Sequence, residues 1–270
     1  MKQNTIDDSF SNVEPVPAVL LVGGMGTRLR SVVPSTPKPL APVGRKSFLE
    51  LLVRQLRHQG IRRLVMCTGY LADQIEEEFK DGRLSDIRIE YSKEPCPLGT
   101  AGAIKLAQSH LVDSPSFLVM NGDSFLEADF HRLIQFHRTQ GSMATIAALQ
   151  VTNGARYGRI YVDTDGKVTA FEEKTGNPGA GLVSAGIYVF DRAIFNHIPE
   201  GPSSLEKDIF PRLLGHGVYA LEQKGMFIDI GTPDDYTRAQ ELCDRLYGIA
   251  LDAQYSKYRD SRIDKGLTPR

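Results

Sequence analysis

Three glycines, an arginine and a lysine lie close together near the start of the chain. They fall in Leu21-Val22-Gly23-Gly24-Met25-Gly26-Thr27-Arg28-Leu29 and Pro37-Lys38-Pro39-Leu40. Both segments follow a short apolar run, Ala18 to Val22, whose pattern predicts a buried first strand. Glycines at a strand end let the backbone approach a ligand without interference from Cβ. Free N–H groups there, together with Arg28 and Lys38, make a site for a polyphosphate. The segment lacks G-x-x-x-x-G-K-[ST], so it is not a P-loop, and it lacks the third glycine of G-x-G-x-x-G. Prolines on both sides of Lys38 are expected to hold its backbone extended and so fix where the ammonium points.

Further groups suited to chemistry sit at other strand ends. Asp123, in Asn121-Gly122-Asp123-Ser124, follows the predicted strand Ser116–Met120. A carboxylate there suits a metal, or a turn or N-cap. Asp229 lies in Phe227-Ile228-Asp229-Ile230-Gly231-Thr232. Glu172-Glu173-Lys174 closes the strand Val168–Phe171, where compensating charges at an exposed hairpin end are the simpler reading. Glu94 precedes the small-residue turn Pro97-Leu98-Gly99-Thr100-Ala101-Gly102, in which a flat ring could stack on backbone. None of the six histidines forms an H-x-x-x-H pair, and Cys67, Cys96 and Cys243 show neither metal spacing nor a disulfide framework.

Alternating elements must position these groups. Strands are predicted at Ala18–Val22, Arg63–Cys67, Ile87–Tyr91, Ser116–Met120 and Met143–Val151. Helices are predicted at Phe48–Gln59 with Gly60 as terminator, Ala72–Lys80, Thr100–His110, and Phe130–Thr139 capped by Asp129. This order predicts an α/β fold, a Rossmann-like, mostly parallel sheet with helices on both faces. Ligands on such sheets sit beyond the carboxyl ends of the strands, where the segments above converge. The second half predicts a hairpin across Asp165-Gly166, a strand Leu182–Phe190, a helix Leu205–Leu214, a strand Met226–Ile230 and a helix Asp234–Leu246. It forms a smaller, β-rich part.

The chain of 270 residues is 41% hydrophobic, enough for a sizeable core. Residues 1–17 are expected to form a flexible tail rather than a signal peptide, 18–247 the catalytic domain and 248–270 a C-terminal tail. A net charge of −1 argues against a nucleic-acid partner, and no apolar run approaches a membrane span. Cysteine usage is consistent with a cytoplasmic location. A homo-oligomer built through the last helices is a further expectation.

Taken together, G-G-x-G-T-R-L…P-K-P resembles the signature of sugar-1-phosphate nucleotidylyltransferases, with the likeness running from Ala18 to about Tyr236. The longer form over residues 26–34 and 37–43 looks most like D-glycero-D-manno-heptose 1-phosphate guanylyltransferases. The resemblance implies GTP and a sugar 1-phosphate as substrates, with the heptose favoured, and Mg²⁺ as cofactor. The product would be a nucleotide sugar for cell-surface glycans. Arg28 and Lys38 become the catalytic cations. Leu21, Gly23, Gly24, Gly26, Thr27, Glu94, Gly99, Thr100 and Gly102 become nucleotide contacts. Asp123 and Asp229 become metal ligands; Phe227 stands where many relatives carry Trp. Gly158, Glu172, Lys174, Ser184 and Gly186 are assigned to the sugar phosphate. Mannose 1-phosphate guanylyl transfer is the nearest alternative, then thymidylyl or uridylyl transfer to glucose 1-phosphate. A non-catalytic nucleotide-sugar sensor would be expected to lack one of Arg28, Lys38, Asp123 or Asp229.

Overall fold

Apolar strands with side chains buried on both faces build the centre of the sheet. The computed structural model describes residues 16–82, 86–154, 157–172 and 179–251. In chain order its strands are β1 (Ala18–Leu21), β2 (Pro42–Val43), β3 (Lys46–Ser47), β4 (Arg63–Thr68), β5 (Arg88–Lys93), β6 (Ser116–Asn121) and β7 (Ser124–Leu126). There follow β8 (Ala144–Val151), β9 (Arg159–Val162), β10 (Val168–Glu172), β11 (Gly181–Asp191), β12 (Val218–Glu222) and β13 (Phe227–Asp229). The helices are α1 (Phe48–His58), α2 (Ala72–Phe79), α3 (Gly99–Leu106), α4 (Phe130–Gln140), α5 (Phe210–Leu213), α6 (Pro233–Glu241) and α7 (Cys243–Leu251).

The centre of the sheet is parallel, in the order β6-β1-β4-β5. Its register sets Leu21 level with Cys67 on one side and Asn121 on the other, so the glycine loop and the Asn121 turn leave from one edge. Side chains alternate across the strands. On one face Leu20, Leu64 and Met120 pack with Leu52 and Leu56 of α1 and Phe130 of α4. On the other, Val19, Val65 and Val119 pack with Ile104 of α3 and Phe210 of α5. Each such buried side chain contributes about 1.5–3 kcal/mol. Helices therefore cover both faces, as the alternation predicts.

β11 joins the two halves. Its second half pairs antiparallel with β6, its first half with β9, and both halves with β8. The register shifts between Ser184 and Tyr188, where Gly186 takes φ +72°. Such a bulge bends a strand and re-aims its side chains. The predicted hairpin is present: β9 and β10 pair antiparallel, with Gly166 at φ +82°.

Three local expectations need correction. Lys38 is not extended but opens a 3₁₀ turn, in which Leu40 N–H donates to Pro37 and Ala41 N–H to Lys38. Pro39 sits where no donor is needed. The helix expected from Leu205 begins as a π-turn, Leu205–Ile209, before α5. Pro211 cannot donate to the carbonyl four residues back and would crowd it; the wider turn relieves that clash. The last helix breaks at Leu242 into α6 and α7, and α7 carries Ile249 and Ala250 into the core, beyond residue 247.

Candidate active site

The glycine loop leaves β1 and closes over the sheet edge. Gly26 takes φ +58°, and a Cβ there would fall 2.8 Å from Lys38 Cβ, so this glycine lets the two signature segments touch. A Cβ at Gly24 would meet nothing within 4 Å. The N–H groups of Gly24, Met25 and Gly26 find no protein acceptor among the described residues. These three residues line a cavity of about 390 Å³. Leu21, Gly23, Gly24, Gly26, Thr27, Arg28, Lys38, Glu94, Gly99, Thr100 and Asp123 all line it. Arg28 is exposed and makes no ion pair among the described residues, so its guanidinium is available to a ligand.

Glu94 follows β5 and lines this cavity beside the start of the glycine loop. Its Oε2 accepts from Leu98 N–H at 2.9 Å. Its neighbour Lys93 pairs with Asp73 at 2.6 Å. Burial pushes the Glu94 carboxyl above its ordinary value. Gly102 does not line the cavity. A Cβ there would lie 2.5 Å from the Gly201 carbonyl, and one at Gly99 2.6 Å from that of Ser203. These glycines are required by the docking of residues 201–203, not by a stacked ring alone.

Asp123 and Asp229 are brought together by a small ribbon. β7 pairs with β13, setting Ser124 opposite Asp229. Lys38 Nζ donates to Asp123 Oδ2 at 2.6 Å and lies 4.0 Å from Asp229 Oδ1. Burial first, then Asp123, push the Asp229 carboxyl up, while Lys38 pulls it down. Asp229 Oδ1 is buried with no hydrogen-bond partner among the described residues. Two facing carboxylates with an orphaned buried oxygen fit a hard divalent cation such as Mg²⁺. Among the described residues no group of three or more His, Cys, Asp or Glu is placed to hold a metal ion.

A second cavity, about 590 Å³, opens on the other side of these aspartates. It is lined by Gly158, Glu172, Ser184, Gly186 and Asp229 from the expected set. Glu172 accepts from Tyr161 Oη at 2.6 Å and lies 3.8 Å from Arg159. Tyr157 and Phe227 form an edge-to-face aromatic wall, ring centroids 6.1 Å apart. Lys174 lies outside the described residues.

Sequence reasoning missed several groups here. Asn121 lines both cavities, and its Oδ1 is buried without a partner among the described residues. A Cβ at Gly186 would lie 2.5 Å from Asn121 Nδ2, so the β11 bulge exists in contact with this amide. The Asn-Gly-Asp run at a strand end was the available signal. Arg159, Tyr188, Glu206 and Lys207 also line the second cavity. No local pattern marked them.

Residues 17–245 match the Nucleotidyl transferase family. A mannose-1-phosphate guanylyltransferase of Mycobacterium tuberculosis is 37% identical over 252 residues, covering 92% of this chain and 69% of that protein. The mannose-1-phosphate guanylyltransferase catalytic subunit beta of Drosophila pseudoobscura pseudoobscura is 37% identical over 222 residues, covering 81% of this chain and 60% of that protein. This chain thus spans roughly two thirds of the length of those relatives. Among solved structures, HddC from Yersinia pseudotuberculosis superposes with a TM-score of 0.75 at 34% identity, covering 84% of this chain and 98% of that one. HddC has also been solved complexed with GMP-PN.

Proposed function

The chain belongs to the nucleotidyl transferase family, and on that premise we propose that it transfers a guanylyl group from GTP to a sugar 1-phosphate, releasing pyrophosphate. The observation that carries this reading is that Lys38 pairs with Asp123 and lies 4.0 Å from Asp229, where the glycine-loop cavity, lined by Lys38 and Asp123, meets a second one lined by Asp229, Glu172, Ser184 and Lys207. Two anions meeting at that boundary need charge neutralisation and alignment more than a nucleophilic side chain. In the reaction a sugar phosphate oxygen forms a bond to the α-phosphorus, and the bond from that phosphorus to the β-phosphate bridge breaks. The attacking oxygen is already anionic, so no general base is required.

The chain's own residues divide the task. The Gly24–Gly26 N–H groups and Arg28 hold the terminal phosphates. Lys38 faces the α-phosphate, where negative charge shifts during transfer. Glu94 accepts from the N1–H and N2–H₂ of guanine, a pair of donors that uracil and thymine lack. Glu172 and Ser184 receive sugar hydroxyls, and the cations Lys174 and Lys207 receive the sugar phosphate. Asp123 and Asp229 would hold Mg²⁺, which supplies charge neutralisation on the phosphates.

The sugar has manno configuration in this reading. The curated relatives favour mannose 1-phosphate; the extended motif over residues 26–34 favours the heptose. No helix of the described residues is long and apolar enough to cross a membrane, and a cytoplasmic enzyme supplying cell-surface glycan synthesis is consistent with that. The test is pyrophosphate release with Mg²⁺, GTP, UTP or dTTP, and mannose, heptose or glucose 1-phosphate. GTP with a manno-configured phosphate is expected to be fastest; a preference for UTP or dTTP would overturn the guanylyl assignment.

A further inference from the structure

One carboxylate touches elements of both cavities. Glu206 stands in the π-turn that replaces the expected first turn of helix. Its Oε2 accepts from Thr100 Oγ1 at 3.2 Å and from Ser204 Oγ at 2.9 Å. Its Oε1 accepts from Tyr188 Oη at 3.3 Å. Thr100 lines the first cavity; Tyr188 and Glu206 line the second.

The connections continue in both directions. On the base side, Thr100 Oγ1 accepts from Leu205 N–H at 2.8 Å, Ser203 N–H donates to Leu98, and Leu98 N–H donates to Glu94. On the sugar side, Ser184 Oγ donates to Tyr188 Oη at 3.2 Å and accepts from Gly186 N–H at 3.2 Å, at the bulge of β11. Burial, then the Glu206 charge, push the Tyr188 phenol well above its ordinary value, so it stays a donor. The hydroxyls of Thr100, Ser204 and Tyr188 thus donate to Glu206, and that of Ser184 donates to Tyr188. A carboxylate, which only accepts when ionised, is the group such a hub needs. A π-turn is a form often kept at functional sites.

We propose that Glu206 is a positioning residue that couples the two substrate sites, holding the Glu94–Gly102 turn and the β11 bulge in one register. The inference rests on the two-substrate reading above. A nucleotide that orders the Leu98–Thr100 turn then lowers the cost of ordering the sugar side, and the reverse holds by linkage. Amide replacement at this hub breaks one branch, because an amide nitrogen cannot accept.

The experiment is calorimetric titration, in the presence of Mg²⁺, of a GTP analogue whose bridge between the α- and β-phosphates cannot be cleaved. It is run with and without saturating mannose 1-phosphate or the heptose 1-phosphate, whichever supports turnover. Wild type is expected to bind the analogue about fivefold more tightly, or better, with the sugar phosphate present. Glu206→Gln and Tyr188→Phe should each bring that ratio near unity, whatever their affinity for the analogue alone, in a protein that still melts cooperatively. A purely structural role would lower Tm and leave the ratio intact. An active wild type with a ratio of one, or a ratio retained in both variants, overturns the proposal. If Glu206→Gln fails to fold, Tyr188→Phe decides alone. Absence of pyrophosphate release by wild type would instead overturn the two-substrate reading itself.

Discussion

Gly23 and the Glu94 carboxylate occupy what would otherwise be the same space. A Cβ on Gly23 would come 2.4 Å from Glu94 Oε1. In the proposed reaction this ties the first glycine of the loop to the carboxylate assigned to the base as well as to the phosphates, so one side chain at this edge would displace Glu94.

Glu94→Gln should lower GTP use at least about tenfold, roughly 1.4 kcal/mol, while UTP or dTTP use holds or rises. Guanine's two donors need an ionised carboxylate. Because burial raises the Glu94 carboxyl, protonation should remove the preference as pH falls through that raised value, and the preference should reach a plateau above it. Competition assays with mixed nucleotides across pH check this. An unchanged GTP preference in the variant would remove Glu94 as the base reader.

Asp229 should trade stability for metal binding. Its folded carboxyl sits above the ordinary aspartate value. Between those two values the folded state binds more protons than the unfolded state, so metal-free stability falls as pH rises through that window. At neutral pH, Asp229→Asn should therefore raise Tm in EDTA. Mg²⁺ should raise the Tm of wild type and not of the variant, and turnover of the variant should drop at least about tenfold. Thermal melts with EDTA or Mg²⁺ provide the readout. A variant less stable than wild type in EDTA would contradict this account of the site.

The cations should separate by kinetic signature. Lys38→Ala is expected to depress kcat more than it raises the KM for GTP, since its contact strengthens as charge shifts in the transition state. Lys207→Ala and Lys174→Ala should mainly raise the KM for the sugar phosphate. Initial-rate measurements with each substrate varied in turn check the division. It fails if all three variants change only the KM for GTP.

Much of the first cavity was legible because it is local. Strand ends, glycine loops and the Pro-Lys-Pro run are written within a few residues of one another, and parallel register brings them to one edge. The second cavity depends on distant pairing. Asp229 reaches Asp123 only through the β7–β13 ribbon, and Asn121 meets the second cavity only because β11 runs back along β6. Glu206 and Lys207 lay in a stretch whose apolar spacing suits an ordinary helix; the π-turn that places both beside the cavity follows from Pro211 and tertiary contacts. The glycines of the Leu98–Gly102 turn were recognised, but their closest demand comes from the backbone of residues 201–203, which local reading could not supply.

The double pairing of β11 has a consequence for the chain as it is made. During synthesis the loop, Lys38 and Asp123 emerge well before β11, and Asp229 emerges later still. Long-range pairings form late because loop closure must precede them. A chain that has passed Asp123 but not yet reached β11 therefore lacks Asp229, which lies 4.0 Å from Lys38 in the finished fold, and most of the lining of the second cavity. The two cavities come to share Asn121 only once β11 has paired with β6 and β9, so the last long-range pairing of the sheet is also the step that assembles the site.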